Sequence, residues 1–572
     1  MNIFESYLKE IINLIKQNQN KLDLNDINDF KGIVLEIPPS NIKSDLSTNI
    51  SMVLARLNKL DPNKLALKIK NLIKENITDF KLVEIAGPGF INLHLSDKAL
   101  INIINNIFYE DKNFGSLKTS KNYNIEFVSA NPTGPMHVGH CRGAIFGDVL
   151  SNLLKFNGNK VTKEYYINDY GGQIKNFVKS VFLRIREIKY KEKFVNEKDL
   201  YPGEYIKEIA KKVLAKSKLK FNTLEENYDY LTKESLNYSM ELIKSDLFKL
   251  GISHNSFISE KSIVDSNTVT KAIDRLKKTK HVEDGYLDPP KGEEKKNWKK
   301  TKRLIFKSIL FGDDANRALQ KNDGSWTYFA NDLAYHFNKV SRKYDKLINI
   351  LGADHTGYVK RIEGAVQALS ENKTSLECKV CQLVKLFKNG SPFKMSKRAG
   401  EFISVSDLLG EVDKDSIRFM MLNRSHDVEL DFDFAKVLEK SKENPVYYVQ
   451  YCHARIQSIF RTINFKDEKK IQIKKNEISF NQYEKEIIKK IFEWPKIIKI
   501  SSYKYEPHRI PFYLYELTTL FHSYWSKGNE DEKFKFIQKG KVSDNILVII
   551  QLILIVLKNG MGILNVSLPH KM

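Results

Sequence analysis

The sequence predicts an α/β chain built on a doubly wound parallel sheet, with an α+β unit before the sheet and an all-helical unit after it. Three observations carry this reading. A strand-like run "YNIEFVSA" (123–130), a helix-like run "CRGAIFGDVLSNLLKF" (141–156) and a second strand-like run "KVTKEYYIND" (160–169) follow one another. Together they occupy about 45 residues, the size of one βαβ unit of a doubly wound sheet. Residues 1–112 instead mix helical apolar spacing with two short strands around a Pro-Gly turn, in "KLVEIAGPGFINLHL" (81–95). From about residue 441 the spacing is almost entirely helical, with aromatic residues set among lysines, as in "NPVYYVQYCHARIQSIF" and "PFYLYELTTLFHSYW".

The chain has 572 residues, more than one hydrophobic core usually holds, so two to four domains are expected. The boundaries read as 1–112, 113–440 and 441–572. "FGSLKTSKN" (114–122) reads as a linker near the first boundary. Within the central unit, residues 180–300 read as a charged helical insertion that ends in a surface loop, "DPPKGEEKKNWKK". Sheet signal resumes at "KLINILGAD" (346–354), and a basic loop "NGSPFKMSKRAGEF" (389–402) follows.

Charge and composition narrow the class. A net charge of +23 fits a polyanionic partner, and nucleic acid leads. Lysine also rises with Asn and Ile in such compositions, so the charge permits this reading without requiring it. No run reaches the roughly 20 apolar residues of a membrane span. The apolar "ILVIIQLILIVL" (546–557) is read as a buried helix, and no membrane partner is expected. The N-terminus carries Glu5 and Glu10 early, unlike a signal peptide. Four cysteines in this length make no disulfide framework, which fits a cytoplasmic protein. Cys378 and Cys381 form a lone CxxC without a second pair, so they read as two thiols and not as a metal site.

The run "SANPTGPMHVGHCRGAIFGD" (129–148) holds the chemistry. His137 and His140 stand three apart where strand gives way to helix. A helix N-terminus offers unpaired N–H groups and the positive end of the dipole, which suits phosphate. Two imidazoles there add donors that can follow charge building on a reacting phosphoryl group. Gly139 leaves room for a flat base to approach, and Pro132 and Pro135 stiffen the entry. The competing reading is a turn with two surface histidines; the strand before and helix after favour a nucleotide site.

The motif resembles the HIGH signature of class I aminoacyl-tRNA synthetases, and the longer string "EFVSANPTGPMHVGHCRGAIFGDVL" is similar to the arginyl-tRNA synthetase family. "KMSKRAG" (394–400) resembles the KMSKS-type signature of the same class. The resemblance implies a Rossmann-like catalytic domain, an N-terminal domain that contacts the corner of tRNA, and a helical anticodon-binding domain. It implies ATP binding by Ala130, Asn131, Pro132, Thr133, Gly134, Pro135, Met136, His137, Val138, Gly139 and His140, and by Lys394, Met395, Ser396 and Lys397. His137, His140, Lys394 and Lys397 would carry the catalysis, with Lys397 neutralising the leaving pyrophosphate and Lys394 assisting.

The family positions for the substrate arginine fall on Glu126, Asn131, Tyr328, Asp332, Asp354 and His355, with Tyr335 and His336 as further lining residues. A planar guanidinium calls for carboxylate acceptors, and Tyr328 stands four residues before Asp332, on one face if that segment is helical. Many family members carry glutamine where this chain has His355 or its neighbour. Tyr447, Tyr448, Tyr451 and His453 are candidates for stacking anticodon bases, although packing is the favoured reading for Tyr448 and Tyr451. Ser44 stands where the family usually has glycine. The resemblance further implies Mg²⁺ with ATP, tRNA-Arg and L-arginine as partners, and a monomer. No covalent nucleophile is evident, and Cys141 reads as a packed thiol.

Overall fold

The computed structural model describes residues 2–25, 29–39, 41–287, 301–393, 403–465 and 479–572. The N-terminal region runs α1 (Ile3–Gln17), β1 (Leu35–Glu36), β2 (Leu46–Thr48), α2 (Ile50–Asn58), α3 (Pro62–Asn76), β3 (Phe80–Ala86), β4 (Phe90–Leu95) and α4 (Asp97–Glu110). Its four strands form a sheet in the order β1-β2-β4-β3, antiparallel throughout. The expected turn between β3 and β4 is a tight one, with Gly87 and Gly89 both at positive φ (52° and 118°). At α3 the Asp61 side chain accepts from Lys64 N–H and Pro62 opens the first turn. β1 and β2 add to the reading from sequence. At two and three residues they are too short to show alternation.

The central region begins with β5 (Asn122–Glu126), α5 (Val138–Phe156), β6 (Lys160–Ile167), α6 (Gly172–Tyr190), α7 (Glu204–Lys216) and α8 (Leu224–Lys249). It continues through β7 (Ser256–Ser259), α9 (Glu260–Asp265), α10 (Thr268–Lys278), β8 (Val282–Gly285), β9 (Arg303–Phe306), β10 (Arg317–Ala318) and α11 (Tyr328–Ser341). Then come β11 (Lys346–Gly352), α12 (Val359–Ser370), β12 (Ser375–Cys381), β13 (Val384–Lys388), β14 (Ser391–Pro392), α13 (Val405–Glu411), α14 (Lys414–Met421), β15 (Leu430–Asp433) and α15 (Phe434–Leu438).

Five strands form the parallel sheet, in the order β12-β11-β5-β6-β7. The chain leaves β5 toward β6 and β7 on one side, and returns to β11 and β12 on the other. The order therefore reverses between β5 and β11, and ligands of such sheets bind outside the strand ends at that reversal. The insertion at 180–300 is not purely helical: β7 extends the parallel sheet, and β8 opens a separate antiparallel sheet, β10-β9-β8. The loop expected at 288–300 lies outside the described residues.

The C-terminal region is all-helical: α16 (Pro445–Thr462), α17 (Gln482–Phe492), α18 (Trp494–Lys504), α19 (Arg509–Glu530) and α20 (Asp544–Leu564). Among the described residues α20 alone is long and apolar enough to cross a membrane, with mean hydropathy 2.3, yet 89% of that stretch is buried by the rest of the chain. All residues of 546–557 are buried, as the sequence led us to expect.

One continuous core joins the three regions, running from Ile11 and Ile69 through Leu150 to Leu514 and Leu552. Trp494, with no exposure, donates Nε1–H to Phe114 O at 2.9 Å. Around it, Lys499 pairs with Glu5 (2.5 Å), Lys496 with Glu36 (2.6 Å) and Lys489 with Asp45 (3.3 Å), all at least partly exposed. Lys489 also bonds Ser44 O at 2.9 Å. Cys378 and Cys381 stand three apart on β12, so their side chains leave opposite faces of the strand.

Candidate active site

The histidine pair is placed by a sharply bent connection from β5. Val128 and Ser129 both adopt positive φ, 73° and 42°. A β-branched residue there is strained, and neighbouring contacts must hold it. Ser129 supplies them: its hydroxyl donates to Glu126 Oε1 (3.1 Å) and accepts from Tyr166 N–H (3.0 Å), and its carbonyl accepts from Asn168 Nδ2 (3.2 Å). Farther along, Tyr165 OH donates to Ala130 O (2.7 Å), and Met136 N–H donates to Asp246 (3.1 Å). At Gly147 of α5 a Cβ would stand 2.3 Å from Phe127 Cγ, so glycine lets the helix cross the strand end closely.

His137 is the N-cap of α5, and His140 is in its first turn. His137 Nδ1 accepts from Gly139 N–H at 3.1 Å, and His140 Nδ1 accepts from His137 N–H at 3.3 Å. In a neutral imidazole with Nδ1 accepting, the proton sits on Nε2. The two rings are stacked, with centroids 3.8 Å apart and planes 29° apart. Burial depresses both pKa values, and the neighbouring His137 adds to the effect at His140, which falls to about 3. The pair is therefore neutral at pH 7 with its ring protons on Nε2. The first-turn N–H groups of α5 are already taken, Val138 N–H by Ile403 O, Gly139 N–H by His137 Nδ1 and His140 N–H by His137 O, so the unpaired helix-end donors expected from sequence are not open here. A Cβ on Gly139 would lie 2.8 Å from His137 Cε1, so the room at this glycine serves the His137 ring.

Beside this loop, a cavity of about 170 Å³ opens at the sheet reversal, lined by Glu126, Ser129, Tyr166, Asp332, Asn349, His355 and Tyr358 among others. Its floor is a chain of buried polar groups. Lys339, fully buried, bonds Glu126 Oε2 (2.5 Å) and Asn349 Oδ1 (2.8 Å). Asn349 Nδ2 meets His336 Nε2 (3.0 Å), and His336 Nδ1 donates to Asp332 O (2.8 Å). Below the floor, Tyr335 OH donates to Glu164 Oε1 (2.8 Å), which also receives Arg342, and the Tyr335 ring stacks on Tyr166 at 4.0 Å. Burial raises the Asp332 carboxyl to about 6, partly offset by the hydrogen bond from Tyr358 OH. Glu260, buried at the start of α9, is raised by burial to about 7 and takes Asn331 Nδ2 at 3.3 Å. Nothing in the local sequence around Glu260 marks it; its relation to Asp332 is tertiary.

Among the residues expected to face arginine, Glu126, Asp332 and His355 line one cavity, together with Tyr335 and His336. Asn131 is exposed on the loop, where its Oδ1 accepts from Asn168 Nδ2 (3.2 Å). Tyr328 opens α11 one turn before Asp332 but is 74% exposed and is not among the residues that line the cavity. Asp354 is exposed and pairs with His355 at 3.4 Å. Of the nucleotide loop, Pro132 and Thr133 are buried, and Gly134 lies against Tyr205 of α7, whose ring would stand 2.8 Å from a Cβ at this position. Lys394, Met395, Ser396 and Lys397 lie outside the described residues. The chain that follows them pairs with the histidine loop: Val138 N–H donates to Ile403 O (2.9 Å), and Val405 N–H to Met136 O (3.0 Å).

On α16, Tyr447 and Tyr451 are half-buried and stacked at 5.6 Å. Tyr448 packs on His522 at 4.2 Å. His453, expected among the base-stacking residues, is instead buried, with Nδ1 bonded to Pro569 O at 2.8 Å; it joins α16 to the C-terminal segment. Arg455, not singled out from sequence, lies over Tyr451 (4.3 Å) and Trp525 (5.1 Å).

Comparison with known proteins agrees with this architecture. The family profile "tRNA synthetases class I (R), catalytic domain" matches residues 103–460. "Arginyl tRNA synthetase N terminal domain" matches 9–95, and "DALR anticodon binding domain" matches 449–572. A curated arginine–tRNA ligase of Pelagibacter ubique is 53% identical, with all of both chains covered. That of Wolbachia pipientis wMel is 42% identical over 99% of each. A solved structure from Campylobacter jejuni is 32% identical with TM-score 0.72, covering 84% of this chain and all of its own. Thermus thermophilus arginyl-tRNA synthetase, 17% identical, has TM-score 0.71 over 99% of this chain and all of its own. The chain belongs to the arginyl-tRNA synthetase family of class I aminoacyl-tRNA synthetases.

Proposed function

We propose that the chain attaches L-arginine to tRNA-Arg in two steps. A carboxylate oxygen of arginine attacks the α-phosphorus of ATP; the bond to the β-phosphate oxygen breaks, and diphosphate leaves. A ribose hydroxyl of the terminal adenosine of tRNA then attacks the arginyl carbonyl carbon, its proton is lost, and AMP departs. The observation that carries the reading is the neutral stacked pair His137–His140 at the start of α5, beside a cavity lined by Glu126 and Asp332. Donors fixed in advance at a point of growing negative charge stabilise the transition state without reorganising.

In this reading Asp332 and Glu126 lie on the arginine side, and Tyr328, exposed at the start of α11, keeps the guanidinium role that the family resemblance implies. Asn131 meets the substrate amino and carboxylate groups, and Asp354 and His355 are kept as arginine positions, His355 sharing the cavity with Glu126 and Asp332. Lys397 neutralises the departing diphosphate, with Lys394 assisting. Ile403, bonded to Val138, is six residues from Lys397, and six residues of chain reach at most about 20 Å. Among the described residues no group of three His, Cys, Asp or Glu side chains is arranged to hold a metal. Mg²⁺, which the family resemblance implies, is taken to enter with the ATP phosphates as part of the substrate. The half-buried Tyr447 and Tyr451 are kept as anticodon contacts. We take the enzyme as a cytoplasmic monomer, with domain limits near residues 112 and 440.

The test mixes purified protein with ATP, each amino acid in turn and total tRNA, and measures charging. Charging with arginine alone is expected. Charging with another amino acid, or nucleotidyl transfer that proceeds without tRNA on a smaller substrate, would overturn the proposal.

A further inference from the structure

Three elements far apart in the sequence converge on one buried guanidinium. Arg418, on α14, has no exposure. Its Nη2 donates to Asp148 Oδ2 on α5 (2.6 Å), its Nη1 to Leu250 O at the end of α8 (2.9 Å), and its Nε to Leu564 O at the end of α20 (2.8 Å). The last carbonyls of a helix lack intrahelical partners and carry the negative end of its dipole, so a cation suits both helix ends. Asp148, also buried, binds Lys163 Nζ of β6 at 2.5 Å. Lys163 reaches Asn152 Oδ1 (3.1 Å), one turn along α5, and Asn152 Nδ2 donates to Ile563 O (3.2 Å). Asn565 Nδ2 completes the joint by donating to Gly251 O (2.9 Å).

Helix α5 therefore carries the histidine pair at its start and is fastened to the end of α20 at Asp148 and Asn152. Eight residues separate His140 from Asp148, about 12 Å of helical rise. That length of α5 is buried along most of its residues, with Cys141, Ala144 and Ile145 at no exposure, so it transmits a shift as a rod. α20 in turn packs against α16, α17 and α19, the helices matched by the anticodon-binding family.

We propose that Arg418, with Asp148 and Asn152, is a positioning device that couples tRNA held on the C-terminal helices to the orientation of the His137–His140 pair. The proposal rests on the functional reading above, together with the need for tRNA in activation that the family resemblance implies, and adds the route by which tRNA acts on that step. Three separately aimed N–H groups are what the joint uses; a lysine supplies its donors from a single nitrogen and cannot reach all three acceptors.

The test follows arginine-dependent ATP–pyrophosphate exchange against tRNA-Arg concentration in the full-length wild type, Arg418→Lys and Asn152→Ala, with thermal melting as the check of folding. Arg418→Lys is expected to lower the exchange plateau at saturating tRNA on the order of tenfold, and Asn152→Ala to lower it less. The KM for arginine and for ATP, and the half-saturating tRNA concentration, should stay within about twofold. A purely structural joint would lower the melting temperature without this split. An unchanged plateau in either folded variant overturns the proposal, as does a loss expressed as raised KM for both small substrates. If Arg418→Lys fails to fold, Asn152→Ala decides alone by the same criteria. Absence of exchange in the wild type would instead overturn the functional reading, and this proposal with it.

Discussion

Gly139→Ala separates stability from catalysis at a single methyl group. Gly139 lies in the first turn of α5, and its φ is not positive, so alanine fits the backbone. Among the described residues the added Cβ would meet the His137 ring at 2.8 and 2.9 Å and nothing else within 4 Å. A half-buried ring at a helix start can yield, so the helix survives while the ring turns away from its cap on Gly139 N–H and from its stack on His140. Helix propensity favours alanine by about 0.8–1.0 kcal/mol, and loss of the cap costs about 1 kcal/mol. The two nearly cancel, and the melting temperature should barely move. Losing one pre-aimed donor to the transition state costs about 2.7–4 kcal/mol, or roughly 10²–10³ in rate. Arginine-dependent ATP–pyrophosphate exchange with tRNA-Arg present measures the rate, and calorimetry the stability. Exchange at the wild-type rate would refute the role given to the fixed His137 ring.

Other outcomes follow from the same geometry. His140→Ala, which removes a donor and uncaps His137 N–H, should lower exchange by roughly 10²–10³ with the fold retained, as exchange kinetics and circular dichroism would show. Arginine KM should rise as pH falls below about 6, where Asp332 takes up a proton, and Asp332→Asn should remove that inflection from a KM–pH profile. Because the folded pKa of Asp332 lies above its ordinary value, its contribution to stability is fully present below about pH 4 and lost as pH rises through about 6. Asp332→Asn should therefore melt higher than wild type at pH 8, while binding arginine more weakly. Lys339→Met leaves Glu126 buried without its cation and should cost about 3–5 kcal/mol in denaturant unfolding; an unchanged midpoint would show that Glu126 finds another partner.

Much of the fold is legible along the sequence because its signals are local. The strand–loop–helix of β5 and α5, the hairpin around Gly87 and Gly89, and the buried α20 each declare themselves within a few turns of chain. β7 does not: its four residues, "SFIS", are half-buried at the sheet edge and show no apolar alternation. The candidate site divides the same way. The histidines are recognisable from their own loop, whereas the cavity wall comes from α11 and β11, some 200 residues away, and the weight of Glu260 appears only beside Asp332. His453 looks like a platform on its helix until Pro569, 116 residues on, covers it.

The lysine pairs that join the two outer regions are partly exposed, whereas Trp494 between them is sealed. Mobile ions weaken the former and leave the latter almost untouched, because screening acts through solvent. The N-terminal region is thus joined to the rest of the chain by a continuous dry core, with stays at its edge that slacken in brine, so salt loosens the rim of the seam and leaves its centre closed.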